Sequence, residues 1–163
     1  PKAKGIPSIT LSTTADYIEL CEFIQFQLAD MGFQVKVDVL PTSIHREGVS
    51  KGEIAFFRKS WIADYADPEN FLALFYAQNE APKGANYTHY ADNQYDAWYE
   101  LALSKKDPLV RDSLYHLMDQ KIMEDAPIIP LFYDKVMRFV SKNITGLESN
   151  AMNGLDLRHV RKQ

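Results

Sequence analysis

A chain of 163 residues is long enough for one domain with a buried core, and 46% hydrophobic against 25% charged residues is ordinary globular composition. The net charge of −4 speaks against a nucleic-acid binder, which needs a basic face, and no run approaches the ~18 apolar residues of a membrane-spanning helix. The single cysteine, Cys21, excludes an internal disulfide.

The predicted elements begin with a strand at 8–12, Ser8-Ile9-Thr10-Leu11-Ser12. A helix capped by Thr14 or Asp16 follows and runs to about Met31. Its apolar residues Tyr17, Cys21, Ile24, Leu28 and Met31 recur at helical spacing, and Gly32 suits the position after its end. Phe33, Val35, Val37 and Val39 then alternate with polar residues at the period of a strand. A strand, helix and strand in that order predict a parallel pair with a crossover helix. A polar helix is expected at 42–51, closed by Gly52, and a strand at 53–60. Helices are expected at 68–78, 93–104 and 108–124. Asp67-Pro68 and Asp107-Pro108 each supply a capping carboxylate followed by proline in the first turn. Late strands are expected at 131–133 and 136–140, and 146–163 reads as loop. The whole of 1–163 reads as a single domain, and its start at Pro1, without Met, reads as a processed chain or an excised piece.

The densest chemistry lies where strand 53–60 meets helix 68–78. Ile54-Ala55-Phe56-Phe57 is an apolar run of the buried-strand kind. Arg58, Trp61 and Asp64 follow at once. Charged and aromatic groups crowded at a strand end suit a ligand cleft in an open α/β sheet. The four histidines, His45, His89, His116 and His159, lack the spacing of a zinc site. No phosphate-cradling glycine loop or nucleophile elbow occurs. Cys21 sits on the apolar helix face and reads as an inert core thiol.

The segment from Arg58 to Leu72, R-x-x-W-x-A-D-Y-x-D-P-E-N-F-L, resembles the stretch before the ligand pocket in the peptide/nickel family of extracellular solute-binding proteins. These are the capture subunits of bacterial ABC importers. Weaker pieces follow in the same order: Pro82-Lys83-Gly84-Ala85-Asn86-Tyr87, Tyr95-Asp96, and the run from Glu124 to Leu131. Members of that family are longer and two-lobed, so this chain resembles their C-terminal lobe, with 146–163 returning toward the other lobe. The implied fold is α/β: a three-layer open sheet with βαβ units, one lobe of a type II periplasmic-binding-protein-like fold. The implied function is capture of an extracellular solute, foremost a short peptide, for uptake. This chain would supply one half of the cleft and do no covalent chemistry. Implied partners are the peptide or other small solute, the N-terminal lobe of the same protein and a membrane permease, with no nucleic acid, cofactor or metal. The implied location is the periplasm or the cell surface as a lipoprotein of a bacterium. The lobe surface left open would favour self-association.

The resemblance makes Asp64 the counterpart of an aspartate that anchors a ligand's α-amino group. The other reading is a turn-stabilising or surface carboxylate. Arg58 either meets a ligand carboxylate through its forked guanidinium or pairs with Asp64, Asp67 or Glu69. Trp61 either walls the pocket or packs beneath the loop. Ser60 and Ile62 matter through their backbones, against which a bound peptide would lie as an added strand. Asn86 follows a glycine turn and is a candidate cleft residue. Tyr87, Tyr90, Tyr95, Trp98 and Tyr99 either line a pocket or pack a loop and helix onto the sheet. Where certain members have a disulfide-bonded cysteine after the tryptophan, this chain has Ile62, so the loop is expected to be held by packing alone. Two readings stand apart from the resemblance: a hydrolase built on Asp64 and Glu69, and a structural interaction domain.

Overall fold

A computed structural model describes residues 8–133, 135–150 and 153–163. Strand β1 (Ile9–Thr13) is followed by a 3₁₀ turn (Ala15–Tyr17), helix α1 (Ile18–Asp30) and strand β2 (Val35–Val39). β1 and β2 are parallel, with Leu11 opposite Val37, so the predicted crossover unit forms. Gly32 takes φ of 97° at the end of α1, a conformation that glycine adopts without strain. Leu11, Cys21 and Val49 are buried around this unit, whereas Met31 lies exposed at the end of the predicted helix face. Helix α2 (Thr42–Ser50) follows and is closed by Gly52 at φ of 71°.

The three expected strand segments do come side by side, but the third is short. The Ser12 amide donates to the Phe56 carbonyl at 2.9 Å, and the Arg58 amide donates to the Ser12 carbonyl at 3.0 Å. Ser12 and Phe57 form one isolated parallel bridge. Of the strand expected at 53–60, only this bridge exists. Beyond Arg58 the chain leaves β1, and its next polar anchor is on another element.

The second part of the molecule is helical. Helix α3 (Glu69–Leu72) is short and runs into 3₁₀ turns at Ala73–Phe75 and Ala77–Asn79. The single helix expected at 68–78 therefore breaks. Tyr76 is extended, at φ −73° and ψ 126°, and the Ala77 amide donates to the Asp96 carboxylate at 3.1 Å instead of to a helical carbonyl. Helices α4 (Asn93–Ser104) and α5 (Pro108–Asp125) form where expected. Asp92 caps α4 by accepting from the Tyr95 amide at 2.8 Å, and Asp107 caps α5 by accepting from the Leu109 amide at 3.0 Å.

The main core joins α3, α4 and α5. Tyr95, Tyr99, Ala102, Leu114, Met118 and Ile122 meet Leu72 and Phe75 there, and Tyr90 and Trp98 pack against them. Of the two readings for the tyrosine-rich stretch, the structure has packing at Tyr90, Tyr95, Trp98 and Tyr99. Tyr95 also donates its hydroxyl to the Leu72 carbonyl at 2.8 Å, so its one buried polar atom is satisfied.

The C-terminal third differs most from expectation. No strand forms at 131–133 or 136–140, although both are short, mostly apolar runs. A strand needs a neighbour for its main-chain groups, and none of the described residues supplies one. Their side chains stand in solvent: Tyr133 is 89%, Met137 80% and Phe139 96% exposed. Within the segment expected to be loop, β4 (Arg161–Lys162) pairs antiparallel with β3 (Ile144–Thr145). Ala151 and Met152, also within that segment, lie outside the described residues.

Candidate functional site

The site begins where the chain departs from β1. The Arg58 guanidinium lies over the Tyr17 ring, 3.2 Å from its centre, and reaches the Ser60 hydroxyl at 3.4 Å. The expected pairing is not formed: among the described residues Arg58 has no ion pair with Asp64, Asp67 or Glu69, and Asp67 pairs with Arg111 while Glu69 accepts from Tyr65 and Tyr99. A guanidinium stacked on a ring keeps its in-plane N–H groups directed outward from the stack. The next residue repeats the motif. The Lys59 ammonium sits 3.6 Å from the centre of the Tyr87 ring. Although Lys59 as a residue is exposed, desolvation of that ammonium, followed by the positive field of Arg46, lowers its pKa.

Between Lys59 and Ala63 no main-chain N–H or C=O bonds to another described residue. Ser60 is exposed and Ile62 is 85% exposed. This stretch has the hydrogen-bonding capacity of an unpaired strand edge.

The loop is nevertheless fixed. The Trp61 indole N–H donates to Asn70 Oδ1 at 2.7 Å, and the Asp64 amide donates to the same oxygen at 3.2 Å. Trp61 is half-buried by this contact, and the Asp64 side chain belongs to an exposed residue. The expectation that packing alone holds the loop is therefore corrected: a buried side-chain carbonyl holds it. A charged brace follows. Burial by itself would raise the Asp67 carboxyl pKa, but hydrogen bonds from the Glu69 amide, Tyr115 and Arg111, with the Arg111 charge, bring it below the usual value. Glu69 accepts from the phenols of Tyr65 and Tyr99. Tyr65, Asp67, Glu69, Arg111 and Tyr115 surround a shallow hollow of about 180 Å³.

The structure thus brings Arg58, Ser60, Trp61, Ile62 and Asp64 into one short stretch at the end of the sheet. Asn86 is not part of it. That residue is 0% exposed, its amide nitrogen donates to the carbonyls of Tyr76 and Tyr90, and its side-chain oxygen accepts from Thr88. Asn86 braces the loop between the 3₁₀ turns and α4, because a buried amide must use its polar atoms internally. Sequence reasoning missed Asn70, which gave only the weak signal of lying three residues after the capping Asp67. It also missed Tyr17, for which no local signal exists.

Residues 2–83 match the family described as bacterial extracellular solute-binding proteins, family 5 Middle. The dipeptide-binding protein DppE of Bacillus subtilis (strain 168) is 28% identical over 160 residues, which is 96% of this chain and 29% of DppE. The periplasmic binding protein DppA from Helicobacter pylori, solved in complex with the peptide STSA, is 28% identical and superposes with a TM-score of 0.67, covering 74% of this chain and 24% of that one. The clavulanic acid biosynthesis oligopeptide binding protein 2 superposes with a TM-score of 0.85 at 21% identity, covering 96% of this chain and 30% of that one. This chain therefore spans about a third or less of the length of these proteins. Its fold is that of an α/β lobe of type II periplasmic binding proteins.

Proposed function

The chain belongs to the bacterial extracellular solute-binding proteins of family 5, and on that premise we propose that it forms one half of a cleft that captures a short peptide for uptake through an ABC importer. Proteins of this family are binding proteins, found in the periplasm or outside the cell. The similar proteins carry names for dipeptide and peptide binding, which favours a peptide over other solutes here. The remaining half of the cleft would come from an N-terminal lobe of the same protein, and the closed form would be presented to a membrane permease. Anchoring as a surface lipoprotein belongs to the same proposal.

One observation supports the peptide reading most: the unbonded backbone of 59–63 lies beside the exposed Asp64. A peptide laid along that edge gains main-chain hydrogen bonds that do not depend on its side chains, which suits a binder of many sequences. Asp64 then offers a carboxylate for the peptide's amino terminus, Trp61 an aromatic wall and Arg58 a guanidinium for a carboxylate. The hydrolase reading lacks such support, because the Glu69 carboxylate is already held by two phenols.

The test is an NMR titration of this chain with tri-alanine and with N-acetyl-tri-alanine. Shifts confined to 58–64, larger for the free amine, support the proposal. Shifts elsewhere, or equal responses to both peptides, reject it.

A further inference from the structure

Asn70 is a buried polar residue, 5% exposed, whose side-chain oxygen serves two donors of the proposed binding loop. An indole N–H and a backbone N–H can only donate, so chemistry alone assigns the oxygen of the Asn70 amide to this side. The oxygen is mounted on a rigid base. Its neighbour Glu69 accepts from Tyr99 of α4, and two residues on, the Leu72 carbonyl accepts from the buried Tyr95. The loop in turn has little else to hold it, since 59–63 makes no main-chain hydrogen bond to a described residue.

From this we infer that Asn70 is the positioning residue of the binding surface. Its single oxygen sets the plane of the Trp61 ring and the turn that aims the Asp64 carboxylate before any ligand arrives. The inference rests on the reading of 58–64 as the ligand surface. It has two consequences. The Asp64 amide is already engaged, so Asp64 meets a ligand only through acceptors, its carboxylate and its main-chain carbonyl. And the surface is pre-organised, which lowers the ordering entropy that binding must overcome.

Hydrogen exchange followed by NMR on this chain, without ligand, tests the positioning. The Trp61 indole N–H and the Asp64 amide are expected to exchange at least ~10-fold more slowly than in Asn70→Ala. Asn70→Asp keeps an acceptor oxygen and restores the protection, while the Trp98 indole shows that the fold is intact in each variant. Equal rates with and without the Asn70 oxygen overturn the inference. If Asn70→Ala does not fold, the unmutated chain decides: both protons must be protected relative to the Ile62 amide, and exchange as fast as that amide refutes it. Tri-alanine then separates the two ideas. Asn70→Ala is expected to weaken its binding at least ~5-fold although Trp61 and Asp64 are both present. Unchanged affinity in a variant whose indole N–H has been freed overturns the positioning role. Absence of any tri-alanine response in the unmutated chain rejects the peptide reading instead, and the exchange data alone then decide Asn70.

Discussion

Asp67 and Arg111 meet across 44 residues of chain, the guanidinium donating to Asp67 Oδ2. This contact ties the loop that carries Asp64 to helix α5. The same carboxylate accepts from the Glu69 amide at 3.0 Å, so it caps a helix and joins two elements at once.

That pairing gives an acid dependence. The Asp67 pKa lies below its ordinary value of 3.8 in the folded chain. Its contribution is therefore complete above pH 3.8 and disappears as pH falls through the lower folded value. Asp67→Asn, followed by circular dichroism, is expected to reduce the acid limb below pH 3.8, which Asp92 and Asp125 share. An unchanged limb would show that the pair contributes nothing to stability.

His45 adds a second limb at higher pH. Its ring is buried, Nε2 donates to the Ser12 carbonyl at 3.3 Å, and the Phe57 ring meets it edge-on. Desolvation, with the positive fields of Lys59 and Arg58, lowers its pKa from 6.5 despite the Ser12 hydrogen bond. Stability should therefore be full above pH 6.5 and decline as the pH drops toward the folded value. His45→Gln should flatten the melting temperature between the two limbs. A melting temperature that rises on acidification would contradict this sign.

Tyr95→Phe removes a fully buried hydroxyl and leaves the Leu72 carbonyl without its partner. The expected loss is about 1–2 kcal/mol, read as a fall of roughly 2–8 °C in melting temperature. A neutral result would show that this hydrogen bond adds nothing to stability.

Asp64→Ala should separate peptides by their amino terminus. In a protein that contains both lobes, a free-amine peptide is expected to lose ~10-fold or more in affinity, and a blocked one far less. Equal losses in titration calorimetry would remove the amine-reading role from Asp64.

The run from Ile128 to Val140 leaves Ile129, Phe132, Tyr133, Met137 and Phe139 in solvent. Exposed apolar side chains in such number favour association. This chain alone should show concentration-dependent sedimentation, and replacing Phe132 and Phe139 with Ser should suppress it. The same chain should bind short peptides no tighter than about millimolar, because association costs an estimated ~4–15 kcal/mol before contacts count. Micromolar binding would make it a complete receptor.

What the residues by themselves determined was local. Alternation at 33–39, the helical face containing Cys21, and the Asp-Pro starts at 67–68 and 107–108 each specify an element through backbone preference and periodicity, within a few residues of one another. The motif from Arg58 to Leu72 likewise pointed to the family to which the chain belongs. The tertiary structure decided everything that depends on a partner distant in sequence. The strand pattern at 136–140 stayed unpaired because a strand exists only with a neighbour. The helix at 68–78 broke because Asp96, nineteen residues on from Ala77, captured an amide. Asn86 turned inward and Asn70 became the anchor for the same reason: a buried amide goes where it finds hydrogen-bond partners, and these include Tyr76, ten residues before Asn86, and Trp61, nine residues before Asn70.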